Sequence, residues 1–168
     1  MIETQRLKIL PLTYAQLVKY IKADGSLELE MALNPTSRTM DPALKEALEE
    51  TILPNVADPA KDYLYSTLWT AISKAENKMV GDLCFVGEPN ESGEIEIGYG
   101  TYEAFRKQGY MTEAVGGMIR WAQQQKNIKS IVANTEKINT ASFTVLEKNG
   151  FIKAGETEEM YQWKLVLL

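Results

Sequence analysis

The chain has 168 residues, a net charge of −5, and 45% apolar against 24% charged residues; that balance suits one soluble globular domain with a real core. Histidine is absent and Cys84 is the lone cysteine, which excludes histidine triads, intramolecular disulfides and metal sites built on His or Cys, so no metal is expected. The acidic balance argues against nucleic acid, whose phosphates need a basic face, and is compatible with a cationic substrate.

No apolar run approaches the ~20 residues that cross a bilayer, and the opening MIETQRLKIL lacks an apolar signal region. A cytoplasmic protein without a membrane partner is therefore expected. No repeat, low-complexity stretch or linker interrupts the chain, so one domain over residues 1–168 is expected.

In chain order, ETQRLKILPL alternates Leu7 and Ile9 with polar neighbours and reads as a strand ending at Pro11. A helix capped by Thr13 follows, with Leu17, Val18 and Ile21 at helical spacing. The region from Ser26 to about Asp58 reads as two helical pieces, the second opened by Asp41 as cap and Pro42 at the first position. YLYSTLWTAIS and MVGDLCFVGE, rich in aromatic and β-branched residues, read as a hairpin, and EIEIGYG as the next strand. A helix from about Met111 to Lys126 presents Met111, Ala114, Val115, Met118, Ile119 and Ala122 as its core stripe. SIVANTE is a strand, NTASFTVLEKNG a helix stopped at Gly150, and FIKAG and MYQWKLVLL are closing strands. The order predicts a mixed α/β layout around one sheet.

The stretch FRKQGYMTEA is unusual for a helix start, where a hydroxyl or acidic cap is the rule. Arg106 and Lys107 precede Gly109, and the first acid, Glu113, comes after the turn. Free N–H groups and the helix dipole would hold a phosphate there, with the basic residues at the rim. The plain alternative is a turn glycine flanked by solvated side chains. Asn139, Ser142 and the run EKNGF form a second cluster at the start of another helix.

Together, IEIGY…FRKQGYMTEA and N-x-x-S-x4-EKNGF resemble the GNAT superfamily of N-acetyltransferases, and most closely the ribosomal-protein N-terminal (Rim-type) branch. The likeness runs from TQRLKILPL to the final strands. It implies an α/β (α+β) fold: one mixed, mostly antiparallel sheet of about seven strands, helices on both faces, splayed between the fourth and fifth strands. It also implies acetyl-CoA as co-substrate and a small amine or peptide N-terminus as acceptor; relatives often pair, so a homodimer is among the expected states.

By the same resemblance, the family's Q/R-x-x-G-x-G/A motif falls on Arg106, Lys107, Gln108, Gly109, Tyr110 and Met111. Main-chain N–H groups from Lys107 to Thr112 would hold the diphosphate. Met111 replaces the usual small residue and is expected to turn its side chain into the core. Gly100 and Thr101 align with positions whose backbone meets the pantetheine arm, and the cofactor would fill the splay like a missing strand. Asn139 aligns with a cofactor contact and is equally a good N-cap.

Acetyl transfer requires the ammonium to lose a proton, the thioester oxygen to be stabilised and the thiolate to gain a proton. Glu94 and Glu96 share one face of EIEIGYG, and Glu96 is the expected base, acting through water; the alternative is a solvent-facing glutamate. A backbone N–H near Tyr99 to Thr101 would stabilise the oxyanion. Many relatives carry a tyrosine seven residues after the asparagine, where this chain has Leu146; by the resemblance, Ser142 occupies a position from which Rim-type relatives approach the cofactor sulfur, the alternative being a serine on the helix surface. Cys84 reads as a core thiol. The expected function is direct transfer of an acetyl group to a primary amine. A non-catalytic acyl-CoA sensor on the same fold is the alternative, and an unrelated nucleotide- or phosphate-binding module a third.

Overall fold

Leu7 and Ile9 in strand β2 (Leu7–Pro11) are fully buried while Lys8 is exposed, and this two-residue period governs the sheet on which the fold is built. The computed structural model describes residues 1–168 and contains one eight-stranded sheet in the order β1-β2-β3-β4-β5-β6-β8-β7. The other strands are β1 (Ile2–Glu3), β3 (Leu68–Ser73), β4 (Lys78–Phe85), β5 (Glu94–Thr101), β6 (Ser130–Glu136), β7 (Ile152–Glu156) and β8 (Met160–Val166). Every neighbouring pair is antiparallel except β5 and β6. That parallel step needs a crossover, which helix α5 (Tyr110–Gln123) provides. The sheet is mixed and mostly antiparallel, as the family resemblance implies. The eighth strand is the two-residue β1, too short to leave a periodic signal.

Helices cover both faces. The predicted stripe of α5 is buried throughout and joins Leu7, Ile9, Trp69, Leu83, Ile95 and Ile131 in one core. Helix α6 (Thr140–Lys148) lies on the same side, where Phe143 packs 5.4 Å from the buried Trp163 ring. On the other face, α1 (Tyr14–Lys22) and α2 (Ser26–Glu30) bury Leu17, Tyr20 and Leu27 against Leu68, Ile72 and Met79. Thr13 caps α1 with the full reciprocal box to Gln16.

The second helical piece departs from a plain helix. It opens as predicted at Asp41 and Pro42 with α3 (Pro42–Ala47), widens to a π turn over Leu48–Ile52, and resumes as α4 (Leu53–Ala57). Pro54 explains the widening, because a proline in mid-helix lacks an N–H and crowds the carbonyl four residues back. The first piece stops at Glu30, and Ala32 with φ of 54° turns the chain away. The predicted strand at YLYSTLW begins only at Leu68. Asp62 instead captures the Leu64 N–H at 3.0 Å and starts a 3-10 turn at Tyr63–Tyr65.

Trp163 supports α6 from below, and its indole N–H donates to Thr135 at 2.9 Å. Trp163→Ala is expected to cost about 3–5 kcal/mol, read as a lower urea midpoint with an unchanged slope.

Candidate functional site: a forked sheet with a cavity on each side

Strands β5 and β6 pair over only three residues: Glu94 with Ser130, Ile95 with Ile131 and Glu96 with Val132. Beyond them β5 continues along β4, and β6 continues along β8 to the register pair Glu136 and Met160. The strands fork. Val86 N–H donates to the Glu96 carbonyl and Tyr102 N–H to the Val80 carbonyl, both at 2.9 Å. Even-numbered residues of β5 thus bond towards β4, and the main chains of Ile97, Tyr99 and Thr101 face the gap. The Tyr99 hydroxyl donates to the Ser142 carbonyl at 3.3 Å, which ties β5 to α6 rather than to β6.

Three cavities run in succession along the fork. The first, about 520 Å³, is lined by Tyr99, Asn134, Asn139 and Ser142 among others. The second, about 360 Å³, adds Gly100, Thr101 and Arg106. The third, about 370 Å³, is lined by Arg106, Lys107, Gly109, Tyr110, Met111 and Thr112. Of the residues the sequence nominates for the cofactor, these walls gather all but Gln108. Its side chain turns to the Ala104 carbonyl at 3.3 Å, and its own carbonyl accepts from Arg6 at 2.9 Å.

The third cavity is a cradle of donors. Gly109 caps α5 with φ of 78° and no side-chain cap, and Lys107 is also left-handed at φ of 63°. Left-handed residues interspersed in such a turn build anion-binding nests. The N–H groups of Lys107 through Thr112 find no acceptor within the protein. Met111 is buried in the core, as expected, so its side chain leaves the cradle open.

A clamp that the sequence reading missed fixes this turn. Glu113 accepts from the Arg6 main chain and from Arg6 Nε, both at 2.8 Å, and from the Thr4 hydroxyl. Arg6 also lies 4.5 Å over the Tyr110 ring. Burial pushes the Glu113 carboxyl up, but the bonds from Thr4 and Arg6 outweigh it and hold the group below its ordinary value. The acid placed after the turn thus serves as an anchor and leaves the N–H groups ahead of it free.

Asn139 caps α6, its side chain accepting from the Ser142 N–H at 3.3 Å, and it also lines two cavities. Leu146 is fully buried. Glu96 stands where the strands part and accepts from the Asn134 amide; Glu94, on the same face, pairs with Lys164 at 2.9 Å.

Across the sheet lies a fourth cavity, about 290 Å³, that shares Gly98, Tyr99 and Gly100 with the fork. Its wall includes Asp82, paired in register with Gly100. The Tyr102 hydroxyl lies 2.8 Å from both oxygens of Asp82, and Tyr20 donates to Oδ2. Burial raises the Asp82 carboxyl from its ordinary 3.8 to about 6, against the opposing pull of the two phenols and Arg38. Arg38 lies 4.2 Å over the Tyr20 ring and pairs with the buried Glu28 at 3.2 Å, while its Nε is buried without a partner. Sequence reading passed over Asp82. The available signal was an acid inside MVGDLCF, where the neighbouring strand residues read as core.

A family model described as an acetyltransferase (GNAT) domain matches residues 6–152. The chain belongs to the GNAT acetyltransferase family. The uncharacterized N-acetyltransferase YjdG of Bacillus subtilis (strain 168) is 37% identical over 95 residues, a match that spans 56% of each chain. Two solved GNAT-type structures share the fold at low identity. The ribosomal-protein-S5-alanine acetyltransferase of Vibrio fischeri has a TM-score of 0.70 at 20% identity, covering 98% of this chain and 94% of its own. The spermidine N-acetyltransferase of Vibrio cholerae, in complex with CoA and spermine, has a TM-score of 0.67 at 12% identity, covering 97% and 96%.

In this GNAT chain two carboxylates give opposite pH signatures. Glu113 titrates below its ordinary value, so its contribution is full near neutrality and is lost as pH falls through the acid range. Glu113→Gln is expected to lower the melting temperature at pH 7, and the difference from the parent should shrink on acidification. Asp82 titrates above its ordinary 3.8 at about 6, so its ionisation costs on the order of 3 kcal/mol, a cost that appears as pH rises through that window. Asp82→Asn is therefore expected to melt no lower than the parent at pH 8, by thermal unfolding followed by circular dichroism.

Proposed function

We propose that this protein transfers the acetyl group of acetyl-CoA to a primary amine by direct attack, without an acetyl-enzyme intermediate. The observation that carries this reading is the fork, which ends in a cradle of unclaimed N–H groups and backs onto a second cavity through Gly98 and Gly100. The residues fit the co-substrate in sequence along the gap. N–H groups of Lys107 to Thr112 would hold the diphosphate, with Arg106 and Lys107 adding charge. The gap-facing main chains of Tyr99 and Thr101 would pair with the pantetheine amides as a strand would.

The available nucleophiles support direct transfer. Burial pushes the Cys84 thiol up to about 11, so little thiolate exists near neutrality. An amine entering from the fourth cavity needs no covalent relay. At the leaving end, Ser142 is a hydroxyl beside the gap, and Tyr99 donates to its carbonyl. Ser142 is proposed to hydrogen-bond the departing sulfur, since Leu146 offers no hydroxyl at the position where many relatives carry tyrosine. For the amine's proton, Glu96 at the fork is the carboxylate that the sequence nominates, reached through water.

Calorimetry with acetyl-CoA, CoA and ATP, followed by an acetylation assay on a panel of amines and peptides, tests the reading. Acetyl-CoA and CoA should bind, ATP about a hundredfold more weakly, a difference of about 3 kcal/mol, and at least one amine should be acetylated. CoA binding without transfer to any amine would favour an acyl-CoA sensor; binding of ATP but not CoA would contradict both.

A further inference from the structure

We propose that Asp82 is the catalytic base: it draws the acceptor's ammonium into the cavity across the sheet and receives its proton. The inference rests on the acetyl-transfer reading above and assigns a role to a residue that the sequence did not single out.

Three observations converge on it. The first is position. Asp82 lies in the cavity wall directly across the ladder from Gly100. A side chain at residue 100 would project to that same face, and a Cβ built there meets no atom within 4 Å. The missing side chain leaves open space between the carboxylate and the β5 main chain that borders the fork. Glu96 sits four residues nearer the closed end of the fork than Gly100, at the last paired position, and is engaged by Asn134.

The second is charge. The titratable and charged groups facing Asp82 are Tyr20 from α1, Tyr102 from the turn after β5, Arg38 from the segment after α2, and Cys84 from its own strand, with the buried Thr70 opposite it on β3. Behind Arg38 stands Glu28, at 4% side-chain exposure for each partner. Two buried carboxylates thus face one buried guanidinium, and the surplus negative charge borders the cavity. A cationic ligand balances it.

The third is desolvation. Burial already holds the Asp82 carboxyl at about 6. Burial also lowers the pKa of an ammonium, so enclosing the two together favours the neutral pair. The ammonium N–H bond breaks with its electron pair left on nitrogen, and an O–H bond forms on Asp82. The neutral amine then attacks the thioester carbonyl, the C–S bond breaks, and a second nitrogen proton passes to sulfur. Asp82 returns its proton to solvent once the amide has left, so each turnover releases one proton.

The test is the pH dependence of kcat/KM for an acetylated amine, in the parent, Asp82→Asn, Glu96→Gln and Tyr102→Phe, with acetyl-CoA affinity measured for each by calorimetry. The parent should show an acid limb near pH 6. Asp82→Asn should lose about a hundredfold or more in kcat/KM, as removal of a general base does, and lose the limb while binding acetyl-CoA normally. Tyr102→Phe removes a bond that lowers the Asp82 pKa, so its limb should move to higher pH; a purely structural role for the phenol would leave the limb in place. Glu96→Gln should keep the limb at the parent's position. An acid limb that survives in Asp82→Asn and vanishes in Glu96→Gln would overturn the assignment and leave the transfer reaction standing. A Tyr102→Phe protein that is folded with an unmoved limb would also overturn it. A parent that acetylates no amine would overturn the reaction itself, and the role of Asp82 with it.

Discussion

The structure depends on one interruption of hydrogen bonding. Two parallel strands in the middle of a sheet pair for three residues and then separate, although unpaired main-chain groups inside a sheet are costly. The separation is held open from outside. β4 retains β5, β8 retains β6 along its whole length, and the Tyr99 hydroxyl reaches the start of α6. With both strands fastened on their far sides, the row of donors and acceptors between them stays available to a ligand that can act as a strand.

The sides of this opening differ in electrostatic character. At one end the N-terminus of α5 gathers free N–H groups and the positive end of the helix dipole, with Lys107 and Arg106 at the rim. Across the sheet, the surplus carboxylate of the Glu28–Arg38–Asp82 group gives a negative wall. An anionic carrier and a cationic acceptor would thus approach from opposite faces, separated only by the Gly98–Gly100 main chain. The glycines act by their missing side chains: Gly98 and Gly100 line cavities on both faces of the sheet.

Much of this was legible in the sequence because it is local. The two-residue period of EIEIGYG, the stripe of α5, the Thr13, Asp41 and Asn139 caps and the strand SIVANTE all depend on neighbours within a few residues. The fork and its ligand residues were legible only through family resemblance, since no local pattern records where two distant strands part. What was missed is long-range. Arg6 meets Glu113 across more than a hundred residues, and Asp82 meets Tyr20 and Tyr102 from three separate elements. Local chemistry misled at Asp62, whose capture of the Leu64 N–H overrides the β propensity of the aromatic run, and at Pro54, beside which the second helical piece widens to a π turn.

Amide hydrogen exchange followed by NMR, with and without CoA, tests the open fork most directly. The account predicts that the N–H groups of Tyr99, Thr101 and residues 107–112 exchange freely in the protein alone and slow by about tenfold or more when CoA is added, as amides do on gaining a partner. Protection of Tyr99 and Thr101 before any ligand is present, or protection by CoA that appears elsewhere and leaves these amides unchanged, would contradict it.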